Sequence, residues 1–192
     1  SEVLNVRRSE RGFEVRVLKK ARYVDEDKCT GCGACMEKCP IEVPSEFDMG
    51  LGPRKAIYIP FPQAVPKVAV VDIEHCVRCG LCERVCQAGA VDFGQEDQEI
   101  TLEVGAIIVA TGLSLLDHRR LPEFACLESP NLITHLHLER LLSSSGPTGG
   151  RVLRPSDGKE PRSVVFITCV GSRDLRANPY CCRIGCAVAV KQ

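Results

Sequence analysis

ARYVDEDKCTGCGACMEKC, residues 21–39, returns as VAVVDIEHCVRCGLCERVC at residues 68–86. Each copy reads as a short apolar strand, an aspartate (Asp25, Asp72), a cysteine-rich loop and one helical turn. Each places its cysteines in the same Cys-x-x-Cys-x-x-Cys-x-x-x-Cys spacing. The first run is Cys29, Cys32, Cys35 and Cys39; the second is Cys76, Cys79, Cys82 and Cys86. Between them RKAIYIPFPQAVP (54–66) carries prolines that forbid a helix and force an extended path.

The spacing has a geometric cause. Three cysteines separated by two residues wrap a loop around one face of a cubane, and Gly31, Gly33 and Gly80 let the backbone approach the sulfurs. The fourth cysteine lies a helical turn further on, points away, and ligates the neighbouring cluster. One [4Fe–4S] cluster is therefore expected on Cys29, Cys32, Cys35 and Cys86, and a second on Cys76, Cys79, Cys82 and Cys39. Two such units side by side make a pseudo-symmetric bacterial-type ferredoxin module. Gln87 follows Cys86 where a proline is usual, which weakens a turn preference and removes no ligand. Structural zinc and reduced buried thiols are the competing readings. Zinc sites pair two Cys-x-x-Cys units across a spacer, leaving no work for a third and fourth close cysteine.

Composition agrees with metal or redox chemistry. The chain has 192 residues, 44% of them hydrophobic, enough for one ordinary domain or two small ones with a real core. Lys+Arg and Asp+Glu balance at 25 each, so no global field points to nucleic acid. No apolar run approaches the roughly 20 residues that span a bilayer, and the polar start SEVLNVRRSE is not a signal peptide. A soluble, cytoplasmic protein without direct membrane insertion is expected. In that reducing setting, 13 cysteines suggest clusters before disulfides.

The flanks read as strands. SEVLNVRR and GFEVRVLKK alternate and join through a turn at Ser9–Gly12, giving a hairpin. EITLEVGAIIVATG (99–112) reads as one or two more strands ending in a buried apolar stretch. The simplest topology is a β-meander with the ferredoxin module inserted between its second and third strands. Further on, Thr134 is placed to cap a short helix, His135–Ser143. SVVFITCVG (163–171) reads as a buried strand, with a helix starting near Cys181, the opening of a Rossmann-like unit. Both ends of the sequence suggest a piece of a longer polypeptide.

Two weaker signals remain. In GAIIVATG a strand ends at Thr111 and Gly112, which can bring backbone close to FAD; an ordinary core strand and turn is the alternative. Cys169, Cys181, Cys182 and Cys186 gather where a Rossmann protein would place phosphate-binding glycines, yet CVGSRD is no G-x-G-x-x-G. A third [4Fe–4S] cluster is the favoured reading and buried thiols the alternative. Cys126 stands alone and is read as structural. His75, His118, His135 and His137 are dispersed and suggest no shared metal.

Together, the paired runs, RKAIYIPFPQAVP, VGAIIVATG, SGPTGG with RPSDGKEP, and CVGSRD…NPYC closely resemble the A subunit of heterodisulfide reductase and its relatives in quinone-interacting oxidoreductases. The resemblance runs through nearly the whole chain. It implies an α+β architecture: a thioredoxin-reductase-like, Rossmann-type FAD domain, incomplete at both ends here, with a two-cluster ferredoxin domain inserted in its β-meander. The expected divisions are meander strands at 1–20, the ferredoxin domain at 21–97, a return strand and connecting segment at 98–162, and a second Rossmann-like unit opening at 163–192. The resemblance also implies a flavin that splits or merges electron pairs, clusters that pass single electrons, and partner subunits that complete the chemistry. Thr111 and Gly112 match the flavin-contacting segment. In many relatives the last motif reads Tyr-Cys-Ser-Arg-x-Cys-Cys, whereas here it is Tyr180-Cys181-Cys182-Arg183-Ile184-Gly185-Cys186, with one cysteine moved from 185 to 182. The family's N-terminal flavin fingerprint does not occur in these residues.

The expected function is the iron–sulfur electron-transfer region of such a protein, with no complete catalytic constellation of its own. A self-contained two-cluster carrier with an accessory interaction domain is the alternative, and the meander around the insert argues against it. A zinc-stabilised binding module is a third reading, disfavoured by the missing basic patch.

Overall fold

The computed structural model describes residues 1–125 and 129–192, and Cys126 lies outside them. The chain divides into two compact units, residues 1–43 with 53–111, and residues 44–52 with 112–192.

The first unit opens with the expected hairpin. β1 (Glu2–Ser9) pairs antiparallel with β2 (Gly12–Lys19), closing at Ser9 opposite Gly12. The chain then enters the cysteine-rich module: α1 (Ala34–Lys38), β3 (Glu42–Pro44), β4 (Pro53–Lys55), β5 (Ile57–Tyr58), β6 (Val70–Val71) and α2 (Leu81–Val85). It returns as β7 (Gln98–Val104), which lies antiparallel beside β2, so the sheet order is β1-β2-β7. Register explains the alternation. Phe13, Val15 and Val17 stand opposite Val104, Leu102 and Ile100, while Glu14 and Arg16 share the other face with Glu103 and Glu99.

The module is a two-fold repeat in space as in sequence. Val24 bridges Val91 antiparallel, tying the start of the first copy to the end of the second. β5 pairs with β6. In both copies the aspartate carbonyl accepts the amide of the first cysteine, Cys29 to Asp25 and Cys76 to Asp72, each at 3.0 Å. In both, a left-handed glycine starts the helical turn, Gly33 at φ 83° and Gly80 at φ 73°. Val24, Ile57, Val68, Ala69, Val71, Ala90 and Val91 form the shared core, with buried Cys82 among them.

In the second unit α4 (His135–Leu142) follows α3 (Pro122–Ala125) and precedes α5 (Gly185–Lys191). α4 begins at Thr134 as expected, and its cap is a capping box in which His137 takes the place usually held by Glu or Gln. Leu138 and Leu141 are buried. Arg140 donates to Asp48 at 2.8 Å and stacks over Phe47 at 4.3 Å, fastening the 44–52 loop to this helix.

Three expectations are corrected. The run 105–112 continues β7 in sequence but forms no strand beyond Val104, and Ile108 is 91% exposed. The run 163–169 forms no strand, with Val165 83% exposed. Both are continuously apolar, the pattern of strands covered on both faces. Such strands need neighbours, and the described residues supply no pairing strand for either. The last helix starts at Gly185 and not near Cys181, because Arg183 is left-handed at φ 62° and interrupts the helical path.

Candidate metal centres

The second cysteine run meets the last cysteine of the first. Cys39, Cys76, Cys79 and Cys82 line one cavity, walled by Ile41, Ala56, Ile57, Val71 and Phe93. The crossing has a local cause. α1 ends at Lys38, and Cys39 takes an extended conformation at φ −70°, ψ 123°, carrying its side chain out of the first loop. Cys86 does the same at the end of α2, at φ −76°, ψ 100°. Cys29, Cys35 and Cys86 all pack against the shared core, and Cys32 is exposed beside them in the first loop.

The backbone is shaped to receive thiolates. Arg78 donates its amide to Cys76 Sγ at 3.4 Å, and Ala90 donates to Cys86 Sγ at 3.3 Å. Amides of this kind favour the charged sulfur. The amide of Ala34 and the hydroxyl of Thr30 hold the Cys32 thiol below its ordinary range. Burial acts in the opposite sense on the third cysteine of each run. It pushes Cys35 up to about 11, with Cys29 and Cys32 adding to the shift, and it raises Cys82 beside Cys76 and Cys79. Metal binding at these sites therefore displaces protons. Gly31, at φ 64°, fits only without a side chain, since a Cβ there would strike the Lys67 carbonyl.

In a cubane each thiolate binds its own iron, so four cysteines are needed around one cluster. The donor set, the amides aimed at sulfur and the cavity lined by four cysteines fit iron–sulfur clusters.

At the other end of the chain Cys169 sits in a left-handed conformation at φ 62°. Ser172, which sequence reasoning passed over, links two of the expected ligands. Its amide bonds the Cys169 carbonyl at 3.1 Å, and its hydroxyl reaches the Cys182 sulfur. The amides of Ile184 and Gly185, with the Ser172 hydroxyl, hold the Cys182 thiol low. Cys181, Cys182 and Cys186 are exposed, and Cys169 is half-buried. Thr111 is exposed, and Gly112 is left-handed at φ 74° with open space where a Cβ would lie. No described helix is long and apolar enough to cross a membrane.

Residues 28–91 match the family of 4Fe-4S dicluster domains. The whole chain is 55% identical over 192 residues to the iron-sulfur A subunit of the CoB–CoM heterodisulfide reductase of Methanocaldococcus jannaschii, of which it covers 29%. It is 58% identical over 192 residues to the second iron-sulfur A subunit of the same enzyme from Methanopyrus kandleri, again covering 29%. It is 50% identical over 193 aligned residues to the A subunit of the ferredoxin:CoB-CoM heterodisulfide reductase of Methanosarcina mazei, covering 24%. The chain thus spans between 24% and 29% of the length of these relatives. Over its full length, it is related to one region of the A subunits of the heterodisulfide reductases.

Proposed function

We propose that these residues are the single-electron relay of a larger flavin and iron–sulfur protein, carrying two [4Fe–4S] clusters with crossed ligation. The observation that supports this most directly is the cavity that gathers Cys39 with Cys76, Cys79 and Cys82. By the pseudo-symmetry of the module, Cys86 completes the other set with Cys29, Cys32 and Cys35. Clusters so held supply one-electron chemistry. The protein's own part is to hold the thiolates, direct amides at their sulfurs, and pack apolar residues between the two sites. Exposed Cys32 and Cys79 mark where each site comes nearest to solvent.

The region belongs, on this proposal, to a larger flavoprotein. The exposed apolar runs 105–112 and 163–169 become strands when neighbouring strands of the full-length protein cover them, in a thioredoxin-reductase-like domain around the insert. Thr111 and Gly112 then offer an uncrowded backbone edge to FAD, while the glycine-rich turn that cradles a pyrophosphate lies elsewhere. Cys169, Cys181, Cys182 and Cys186 hold a third cluster close to that flavin. Other subunits of a reductase complex and redox partner proteins take the electrons onward, and the reducing chemistry resides with them.

Counting iron and acid-labile sulfide after anaerobic loading tests the central reading. About eight of each per chain is expected from the ferredoxin runs alone. A colourless protein that binds stoichiometric zinc and takes up no iron would refute it.

A further inference from the structure

The two cysteine runs are near copies, but the charges behind them are not. In the first, Asp25 pairs with Lys28 at 3.0 Å, and that lysine side chain is 60% exposed. In the second, the corresponding Asp72 accepts from Arg54 at 2.8 Å, and their side chains are only 11% and 9% exposed. Arg54 stacks over the Tyr58 ring at 4.1 Å and donates to the Lys55 carbonyl at 3.3 Å, which fixes the guanidinium in place. Asp72 also meets the His75 ring at 2.9 Å. The backbone ties this pair to the cavity. The Asp72 amide bonds the Ala56 carbonyl at 2.7 Å, and the Asp72 carbonyl accepts the Cys76 amide at 3.0 Å. Ala56 and Val71, each within two residues of the pair, line the cavity of Cys39, Cys76, Cys79 and Cys82. The other ion pair on β4, Lys55 with Glu42, lies nearer the surface.

A solvated lysine is weakened by water and by salt, over about 10 Å at ordinary ionic strength, whereas a charge held under protein is screened far less. Taking up one electron adds one negative charge at a site. A fixed cation beside it favours the reduced state, and a fixed anion opposes it. We propose that Arg54 and Asp72 are a potential-setting pair for the second site, more deeply buried than the described ion pairs of the first copy, Asp25 with Lys28 and Arg22 with Glu26. Their role is to position charge, not to ligate, and the two halves act in opposite directions. The inference rests on the reading that Cys39, Cys76, Cys79 and Cys82 hold a cluster.

The test is a potentiometric titration of the full-length protein, loaded with iron and sulfide under anaerobic conditions and followed by electron paramagnetic resonance. Cys79→Ser assigns the signal of the second site. Arg54→Gln removes the cation and is expected to move that potential in the negative direction. Asp72→Asn removes the anion and is expected to move it positively. Arg54→Lys keeps the charge and should hold it near the unaltered value, and the first site should stay unmoved throughout. An unchanged second potential in Asp72→Asn, or equal shifts at both sites, would overturn the proposal. If Arg54→Gln sheds iron, the Asp72→Asn titration decides; if both shed it, the pair is only structural and the proposal fails. Absence of any second-site signal in the unaltered protein would instead remove the cluster reading beneath it.

Discussion

The backbone amide of Arg183 donates to the Cys181 sulfur at 3.3 Å, with Arg183 in the left-handed region at φ 62°. The second ferredoxin run contains the same turn: Arg78, two residues after Cys76, is left-handed at φ 51° and donates to that sulfur at 3.4 Å. Gly31, two residues after Cys29, is left-handed as well, at φ 64°. A non-glycine residue held there costs free energy, of order 1 kcal/mol, and persists where surroundings require it. A left-handed residue two positions on is thus common to Cys29, Cys76 and Cys181.

The corresponding prediction concerns iron content. In the full-length protein, changing Cys169 and Cys186 together to serine should remove one four-iron cluster and leave the ferredoxin pair intact. For these three sites, iron should fall from roughly twelve to about eight. An unchanged count would leave the four cysteines as thiols. Cys182→Ser separately asks whether that sulfur ligates, since its amide contacts and Ser172 hold it low in the way expected of a ligand.

Crossed ligation makes a second prediction. Cys39→Ala should damage the cluster of Cys76, Cys79 and Cys82, whose cavity it lines, and spare the one beside Cys29. The signals assigned through Cys79→Ser and Cys32→Ser tell the two apart. Loss of the Cys29 signal with the other retained would reverse the assignment.

What was legible in the sequence was whatever is decided locally. The Ser9–Gly12 turn and the Thr134 cap each depend on a few neighbouring residues, and each is formed. The apolar runs 105–112 and 163–169 read as buried strands because their composition requires cover. Cover comes from partners distant in sequence, and the described residues contain none for them. Arg54 was invisible for the same reason. Nothing in RKAIYIPFPQAVP shows that its first residue will be buried against Asp72. Ser172 could have been noticed from its position three residues after Cys169, but its second contact, with Cys182, depends on how the loop returns.

The last prediction uses His137. Its Nδ1 accepts the Thr134 amide at 3.1 Å, while its own amide donates to Thr134 Oγ1 at 3.3 Å, completing the capping box of α4. Only a neutral ring can accept at Nδ1. Burial holds its pKa below the ordinary histidine value of 6.5, while a hydrogen bond to the Met49 backbone pulls it weakly upward. A folded-state pKa below the unfolded one means that the stabilisation is complete above about pH 6.5. It is lost as pH falls through the lowered folded value. The second unit should therefore weaken in mild acid. Glutamine at the same position can accept the Thr134 amide without titrating. His137→Gln should keep the helix at neutral pH and flatten the acid limb, read as the melting temperature between pH 7.5 and pH 5. Groups elsewhere that titrate in this range contribute equally to both proteins, so the difference between the two curves isolates this ring. Parallel curves would show that the cap does not depend on the ring's protonation.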